Sequence, residues 1–416
     1  MNRLIFVFVV AILLGGAIYI SQTTNEQAEP IKVGVLHSLS GTMQVSEQNV
    51  VDATLLAIEE INAAGGIDGR LIEPIVIDGE SDWDVFAEQA EYLINQEQVK
   101  TIFGCWTSAC RKTVRPIFEA NNHLLIYPVQ YEGLEQSPNI IYTGAAPNQQ
   151  IVPAVAWGLD NLGNQVFLVG SDYVFPRTAN ELIKNQIAAL NGEVLGEEYV
   201  LLGDTDFEAI VDLIIETQPD VILNTLNGDS NQAFFNTLRA AGVTSEDIPT
   251  ISFSIAEPEL SSWFMDDLVG DYAVWNYFQS INSATNATFI NAFQDRYGTE
   301  RVLSDPMESA YIGVYLWAQA VEKVGADASP TLIRDAMLGQ SFNAPQGVVY
   351  IDPQTQHTWK TIRIGQIQET GQFEIVWSSE NPARPQPYPF YRSRSEWDDY
   401  LLDLYQGWDL QWANPG

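Results

Sequence analysis

The sequence predicts an α/β protein with two units of parallel sheet. Three observations carry this. β-rich runs alternate with stretches whose apolar residues fall at helical spacing, the signature of βαβ units. The alternation runs to about residue 144 and then restarts with a similar rhythm. Only after about residue 348 does it give way to short runs with turns between them, which read as antiparallel strands. The crossovers in such units are right-handed.

The first unit opens with a β-rich run at 31–36 that ends at a Ser/Gly turn, 38–42. A helix follows at 50–64, with apolar residues at 51, 55, 58 and 61, and Gly65, Gly66 and Gly69 stop it. A strand at 71–77, a helix at 85–96, a strand at 100–103, a helix at 107–120 and a strand at 124–127 complete the unit. The second unit reads as helix 148–162, strand 166–170, helix 176–190, strand 193–201, helix 207–217, strand 221–224, helix 231–241 and strand 250–253. A further strand at 271–278 leads to helices at 287–297, 305–324 and 331–337. Short antiparallel strands at 348–351, 358–364 and 373–377 come next. From Asn381 the tail carries Pro382, Pro385, Pro387 and Pro389, so it is expected to be extended and packed by Trp397, Trp408 and Trp412.

The charge narrows the function. With 54 acidic and 19 basic residues the net charge is −35, which disfavours binding to nucleic acid or to an anionic membrane surface. The 11 Trp, 17 Tyr and 18 Phe argue for a packed core, because a disordered acidic chain has few aromatics. Residues 4–20 form an uncharged apolar run behind Arg3, as in a secretory signal, with no clean small-residue cleavage site after it. A cleaved signal and an uncleaved anchor both stay open, and 21–30 reads as a tether. The two cysteines, Cys105 and Cys110, could pair in an oxidising compartment. The favoured reading is two buried thiols, because a helix start between them would have to let the Cα atoms within ~7 Å.

No phosphate loop, G-x-G-x-x-G, H-E-x-x-H or G-x-S-x-G occurs, and the three histidines, His37, His123 and His357, are scattered. An enzyme is therefore not expected. Polar and aromatic residues instead recur where predicted strands end, the place where open α/β sheets bind ligands. These ends are 37–42, 105–108, 127–131, 171–173, 227–230 and 254–257. Helix capping by Ser, Thr or Asp accounts for any one of them, though less readily for their recurrence in both units.

The runs Leu-His-Ser-Leu-Ser-Gly-Thr-Met at 36–43 and Ala-Ala-Gly-Gly-Ile-Asp-Gly-Arg at 63–70 resemble type I periplasmic solute-binding proteins. Within that superfamily, Cys-Trp-Thr-Ser-Ala-Cys-Arg-Lys at 105–112 and Tyr-Pro-Val-Gln-Tyr-Glu-Gly at 127–133 resemble the urea-binding component of urea ABC importers. The short-chain amide sensor that controls amidase expression shares several of these blocks. The resemblance implies the type I periplasmic-binding-protein fold, two doubly wound lobes joined by a three-crossover hinge. It implies residues 1–30 as signal or anchor plus tether, 31–144 and 275–340 as lobe one, and 145–274 and 341–416 as lobe two. The crossovers fall near 145, 274 and 341. It further implies an extracytoplasmic location, an ABC permease as partner, and closure of the lobes on ligand. A branched-chain amino-acid binder and a short-chain aliphatic amide sensor are the alternatives.

Urea is planar and neutral, with four N–H donors and one carbonyl. A site for it needs acceptors, a donor for the carbonyl and flat walls, and needs no fixed ion pair. Gln130 offers an amide that can pair with another amide, and Ser108 lies at a helix start whose free amides can hold a carbonyl. Tyr127 and Tyr173 supply phenols from opposite lobes, while Trp106 and Val129 shape the walls. Asp229 and Glu257 are further candidate acceptors. With four heavy atoms at ~1.5 kcal/mol each, urea gains at most ~6 kcal/mol, a dissociation constant of tens of micromolar. No cofactor is expected. Carboxylates at Asp78, Glu80, Asp82 and Asp84 suggest a calcium loop, but they lack its glycine and final glutamate, and a solvated helix cap is the favoured reading.

Overall fold

The computed structural model describes residues 29–262 and 268–416, so the apolar run at 4–20 lies outside the described residues. In the first lobe β1 (Ile31–His37), β2 (Ile72–Asp78), β3 (Ile102–Gly104), β4 (Leu125–Tyr127) and β5 (Ile140–Tyr142) pair in parallel in the order β2-β1-β3-β4-β5. The chain leaves β1 in both directions, which puts the switch in strand order at the carboxyl ends of β1 and β3. Helices α1 (Gln44–Ala63), α2 (Trp83–Asn95) and α3 (Ser108–Ala120) connect these strands. Side chains start two of them. Asp82 accepts from the Asp84 and Val85 amides, and Thr107 accepts from the Cys110 amide.

The second lobe repeats the design. Strands β6 (Gln165–Ser171), β7 (Glu193–Val200), β8 (Val221–Thr225), β9 (Thr250–Ser252) and β10 (Tyr272–Trp275) pair in parallel in the order β7-β6-β8-β9-β10. Its switch lies at the ends of β6 and β8. Helices α4 (Ile151–Asn161), α5 (Val174–Ala189), α6 (Glu208–Thr217), α7 (Ser230–Ala240) and α8 (Glu257–Ser262) flank the sheet. The chain then returns to the first lobe through α9 (Ala284–Tyr297), α10 (Asp305–Val324) and α11 (Pro330–Met337). Each sheet is covered on both faces, and its strands accordingly read as nearly unbroken Val/Ile/Leu runs. In the first lobe Leu36, Phe86, Leu93 and Phe118 fill one face, and Phe103, Ile126, Ile312 and Trp317 the other. In the second, Leu168, Leu182 and Ile251 oppose Phe167, Ile222 and Phe234.

Two features differ from the sequence expectation. Strands β11 (Ser341–Ala344), β12 (Gly347–Ile351) and β13 (Thr358–Trp359) form their own antiparallel sheet rather than joining lobe two. Ala344, Val349 and Ile351 pack in the layer of Trp317 and Met337, so 341–359 sits with the first lobe. The third crossover therefore falls after Trp359 rather than near 341, and leads to β14 (Arg363–Ile367) and β15 (Phe373–Ser378), the antiparallel edge of the second sheet. The tail also is not wholly extended, because α12 (Arg394–Gly407) starts at a reciprocal cap between Ser393, four residues past Pro389, and Glu396. Trp397 and Leu401 seat it in the layer of Leu182 and Ile183.

The crossovers are tied to one another by polar side chains. Asn276 donates to the Gln149 and Thr361 carbonyls (3.0 and 3.2 Å), joining all three. Asp305 at the start of α10 accepts the Asn276 and Tyr277 amides (3.0 and 2.9 Å) and lies 3.6 Å from Lys360 Nζ. At the first crossover a Cβ on Gly144 would stand 2.1 Å from the Val129 carbonyl, so only glycine permits this close approach.

Candidate functional site

The two switch points face each other across the cleft. Trp106 lies two residues past β3 and Asn227 two past β8, and Trp106 Nε1 donates to Asn227 Oδ1 at 3.4 Å. Gln130 Nε2 donates to the Phe253 carbonyl at 2.9 Å, and Ser46 Oγ to Glu259 Oε1 at 2.5 Å. The Asp229 amide donates to Thr42 Oγ1 at 3.2 Å. Each of these bonds joins one lobe to the other, so the molecule stands closed.

Trp106, Ser108, Tyr127 and Tyr173 come together here, all at most 4% exposed. Tyr127 donates its hydroxyl to the Trp106 carbonyl at 2.5 Å and so holds the loop beyond β3 against β4. Tyr173 enters from the second lobe, its ring centroid 6.4 Å from that of Trp83 on α2. Burial raises the Tyr127 and Tyr173 hydroxyls well above the usual phenol range, and both stay neutral donors. The Tyr173 loop is fixed by the tail. The Val174 amide donates to the Trp412 carbonyl (2.9 Å) and the Asn414 amide to that of Asp172 (3.0 Å). Trp412 also carries Lys112 of the first lobe over its ring at 5.0 Å. Val129 is buried in the first-lobe core, and Gln130 bridges the lobes with its Oε1 unpartnered among the described residues.

Two predicted residues stand apart. Asp229 is exposed at the rim, beside its contact with Thr42. Glu257 is buried but turns to the second crossover, where Oε1 accepts the Gln279 amide at 2.7 Å, and burial raises its carboxyl to about 8. Position at a strand end indicates the correct edge of the sheet but not the direction in which a side chain turns.

Next to these residues lies a charged cluster that position at a strand end does not single out. Ser108 Oγ donates to Glu132, Arg111 reaches Glu132 (3.1 Å) and Glu135 (2.8 Å), and Lys112 stands 3.6 and 3.3 Å from the same two carboxylates. Burial alone would raise Glu135, but Arg111, Lys112 and Arg115 outweigh it and hold the carboxyl well below its ordinary value. These charges satisfy one another. His37 and Glu47, also missed as a site pair, meet at the end of β1. His37 Nδ1 lies 2.9 Å from Glu47 Oε2, which also accepts the Ser38 amide at 3.0 Å.

Cys105 and Cys110 form a disulfide, contrary to the expectation of free thiols, with Cα atoms 5.8 Å apart. Cys105 takes a left-handed conformation (φ 64°), which turns the chain before the helix begins and lets Cys110 in the first turn of α3 reach it. The ring so closed contains Trp106 and Ser108. Replacing both cysteines by alanine should lower stability by about 2 kcal/mol, the chain-entropy value for so short a loop. Guanidinium unfolding of the oxidised parent and the double variant reads this, and equal midpoints would contradict it.

At the suggested calcium loop, Asp78 accepts the Leu39 and Glu80 amides and Ser40 Oγ, each at 2.7 Å, while Asp82 caps α2. Among the described residues no group of three or more His, Cys, Asp or Glu is placed to hold a metal ion. Among them, too, no helix is long and apolar enough to cross a membrane.

Comparison with known proteins matches residues 31–394 to the periplasmic binding protein domain family. The Leu/Ile/Val-binding protein homolog 6 of Brucella suis is 22% identical over 363 residues, 84% of this chain and 91% of that protein. A 118-residue segment is 31% identical to limonene hydroxylase of Geobacillus stearothermophilus, covering 28% of this chain and 21% of that protein. A solute-binding protein of an ABC transporter from Rhodopseudomonas palustris BisB5, solved with 3,4-dihydroxybenzoic acid, aligns with a TM-score of 0.77 at 22% identity over 86% of this chain and 99% of that one. The branched-chain amino acid transporter substrate-binding protein of Streptococcus pneumoniae, solved with isoleucine, aligns at 0.74 with 21% identity over 85% and 100%.

Proposed function

Because this chain belongs to the periplasmic binding protein family, of type I and the Leu/Ile/Val-binding kind, we propose that it captures urea between its lobes and delivers it to an ABC permease. One observation carries the ligand class. The residues gathered where the lobes meet, Trp106, Ser108, Tyr127 and Tyr173, are neutral and buried, and the ions next to them are already paired with one another. An amino acid needs a free acid for its ammonium and a free donor cluster for its carboxylate. A planar amide needs neither. The family supports an extracytoplasmic setting, in which ligand-stabilised closure is the state a permease meets.

A branched-chain amino acid is the second reading, favoured by the names of the Brucella and Streptococcus relatives. Isothermal titration with urea, acetamide, leucine and benzoate separates them. Saturable urea binding with no response to leucine is expected, and Tyr173→Phe should weaken it without loss of fold. Leucine or benzoate heat without urea heat would overturn the ligand. Ammonia release from urea in the same samples would point to an enzyme instead.

A further inference from the structure

His37 ends β1, at the switch point of the first sheet, and is fully buried. One side of its ring is committed. Glu47 Oε2 accepts the Ser38 amide and faces His37 Nδ1, so Nδ1 carries the N–H and donates it to the carboxylate, leaving Nε2 without one in the neutral ring. His37 Nε2 is buried with no hydrogen-bond partner among the described residues. The parallel pairing of β1 with β3 sets Leu36 beside Gly104, and the Cys105 amide donates to the Leu36 carbonyl at 3.0 Å, so His37 stands beside the loop that carries Trp106 and Ser108.

From this, and resting on the reading of a small amide ligand, we infer that His37 Nε2 is a specificity-determining acceptor for a ligand N–H. Glu47 fixes the tautomer, and in the neutral ring Nε2 keeps a lone pair that no group among the described residues takes up. An amide or urea N–H satisfies it. A carboxylate in the same orientation sets lone pair against lone pair, so amino acids and benzoates are disfavoured at this point even where they fit in size. Leaving such a buried acceptor unpaired carries the full desolvation penalty, which gives the contact its discriminating force.

Acetamide and acetate are near-isosteres that differ in this respect, so the ratio of their affinities is the readout. In His37→Asn the side-chain amide can still donate to Glu47 from the Nδ1 position but presents nothing at Nε2. His37→Gln can reach the Nε2 position. The asparagine variant should bind urea about tenfold more weakly and lose much of its preference for acetamide over acetate, and the glutamine variant should recover part of both. Unchanged affinity and ratio in His37→Asn would overturn the inference. In the unaltered protein the Nε2 nitrogen-15 resonance of His37 should shift on adding urea, and a resonance that stays put while urea binds would overturn it without any variant. If the unaltered protein binds neither urea nor acetamide, the proposed function fails and this assignment fails with it.

Discussion

Arg111→Met should destabilise the protein by about 3–5 kcal/mol, the usual cost of removing one partner from a buried ion pair. Arg111 is fully buried, donates to Glu135 (2.8 Å), Glu132 (3.1 Å) and Ser108 Oγ (3.1 Å), and lies over the rings of Tyr127 and Tyr131. Methionine keeps much of the volume but none of the charge. Two buried carboxylates would then share Lys112, with Arg115 near Glu135 alone at 3.2 Å. Guanidinium unfolding measures the loss. Urea is unsuitable as denaturant here, because it is the proposed ligand. Adding Glu132→Gln to the variant removes the surplus negative charge and should restore part of the stability, which a double-mutant cycle quantifies. A loss under about 1 kcal/mol would mean that Lys112 and Arg115 suffice. The same variant should weaken urea binding, because Ser108 and Glu132 lose their common anchor.

Much of this architecture was legible because the strands and helices carry their periods openly. In the run at 31–36 all but Lys32 are buried, and of the stripe at 51, 55, 58 and 61 Val51 and Ile58 are buried while Leu55 and Ile61 are half-buried. Short elements were not legible. β5 has three residues, too few to show a period, and β11 is a partly exposed strand with one fully buried side chain, Ala344. Helix α12 was missed because the prolines before it, at 382–389, pointed to an extended tail and masked the Ser-x-x-Glu cap at 393–396. At the candidate site, Trp106 and Tyr173 were legible as residues near the cleft because each follows the end of a strand. Trp83 was not, because it reaches Tyr173 from the start of a helix in the other lobe. The His37–Glu47 pair was hidden for a related reason. A histidine and a glutamate ten residues apart, one on a strand and one on a helix, have no fixed relation until the turn between them is known.

Stability should fall as pH rises from about 5 to 8.5, the reverse of a protein held mainly by salt-bridged acids. Burial raises four carboxyls, Glu257 to about 8 and Glu259, Asp271 and Glu308 to about 7. Gln279 opposes this at Glu257, Ser46 at Glu259, Arg239 at Asp271 and Lys360 at Glu308, but none of them cancels it. Between the unfolded values near 4 and these native values, the folded chain holds more protons than the unfolded one. The slope of stability with pH is then negative, up to about 1.4 kcal/mol per unit for each group inside its window. The contribution is complete below the unfolded values and is lost as pH climbs through 7 to 8. The surplus of negative charge acts in the same direction. At the acid end Glu135 works oppositely, since its lowered carboxyl favours folding only while ionised, which places the maximum in mildly acidic solution. Guanidinium midpoints across this range measure the slope, and a flat or rising curve would contradict the assignment. Glu257→Gln keeps a side-chain oxygen for the Gln279 amide and removes the titration. It should therefore flatten the curve between pH 5 and 8 and raise stability most at the alkaline end, where the parent must ionise a buried acid at the second crossover.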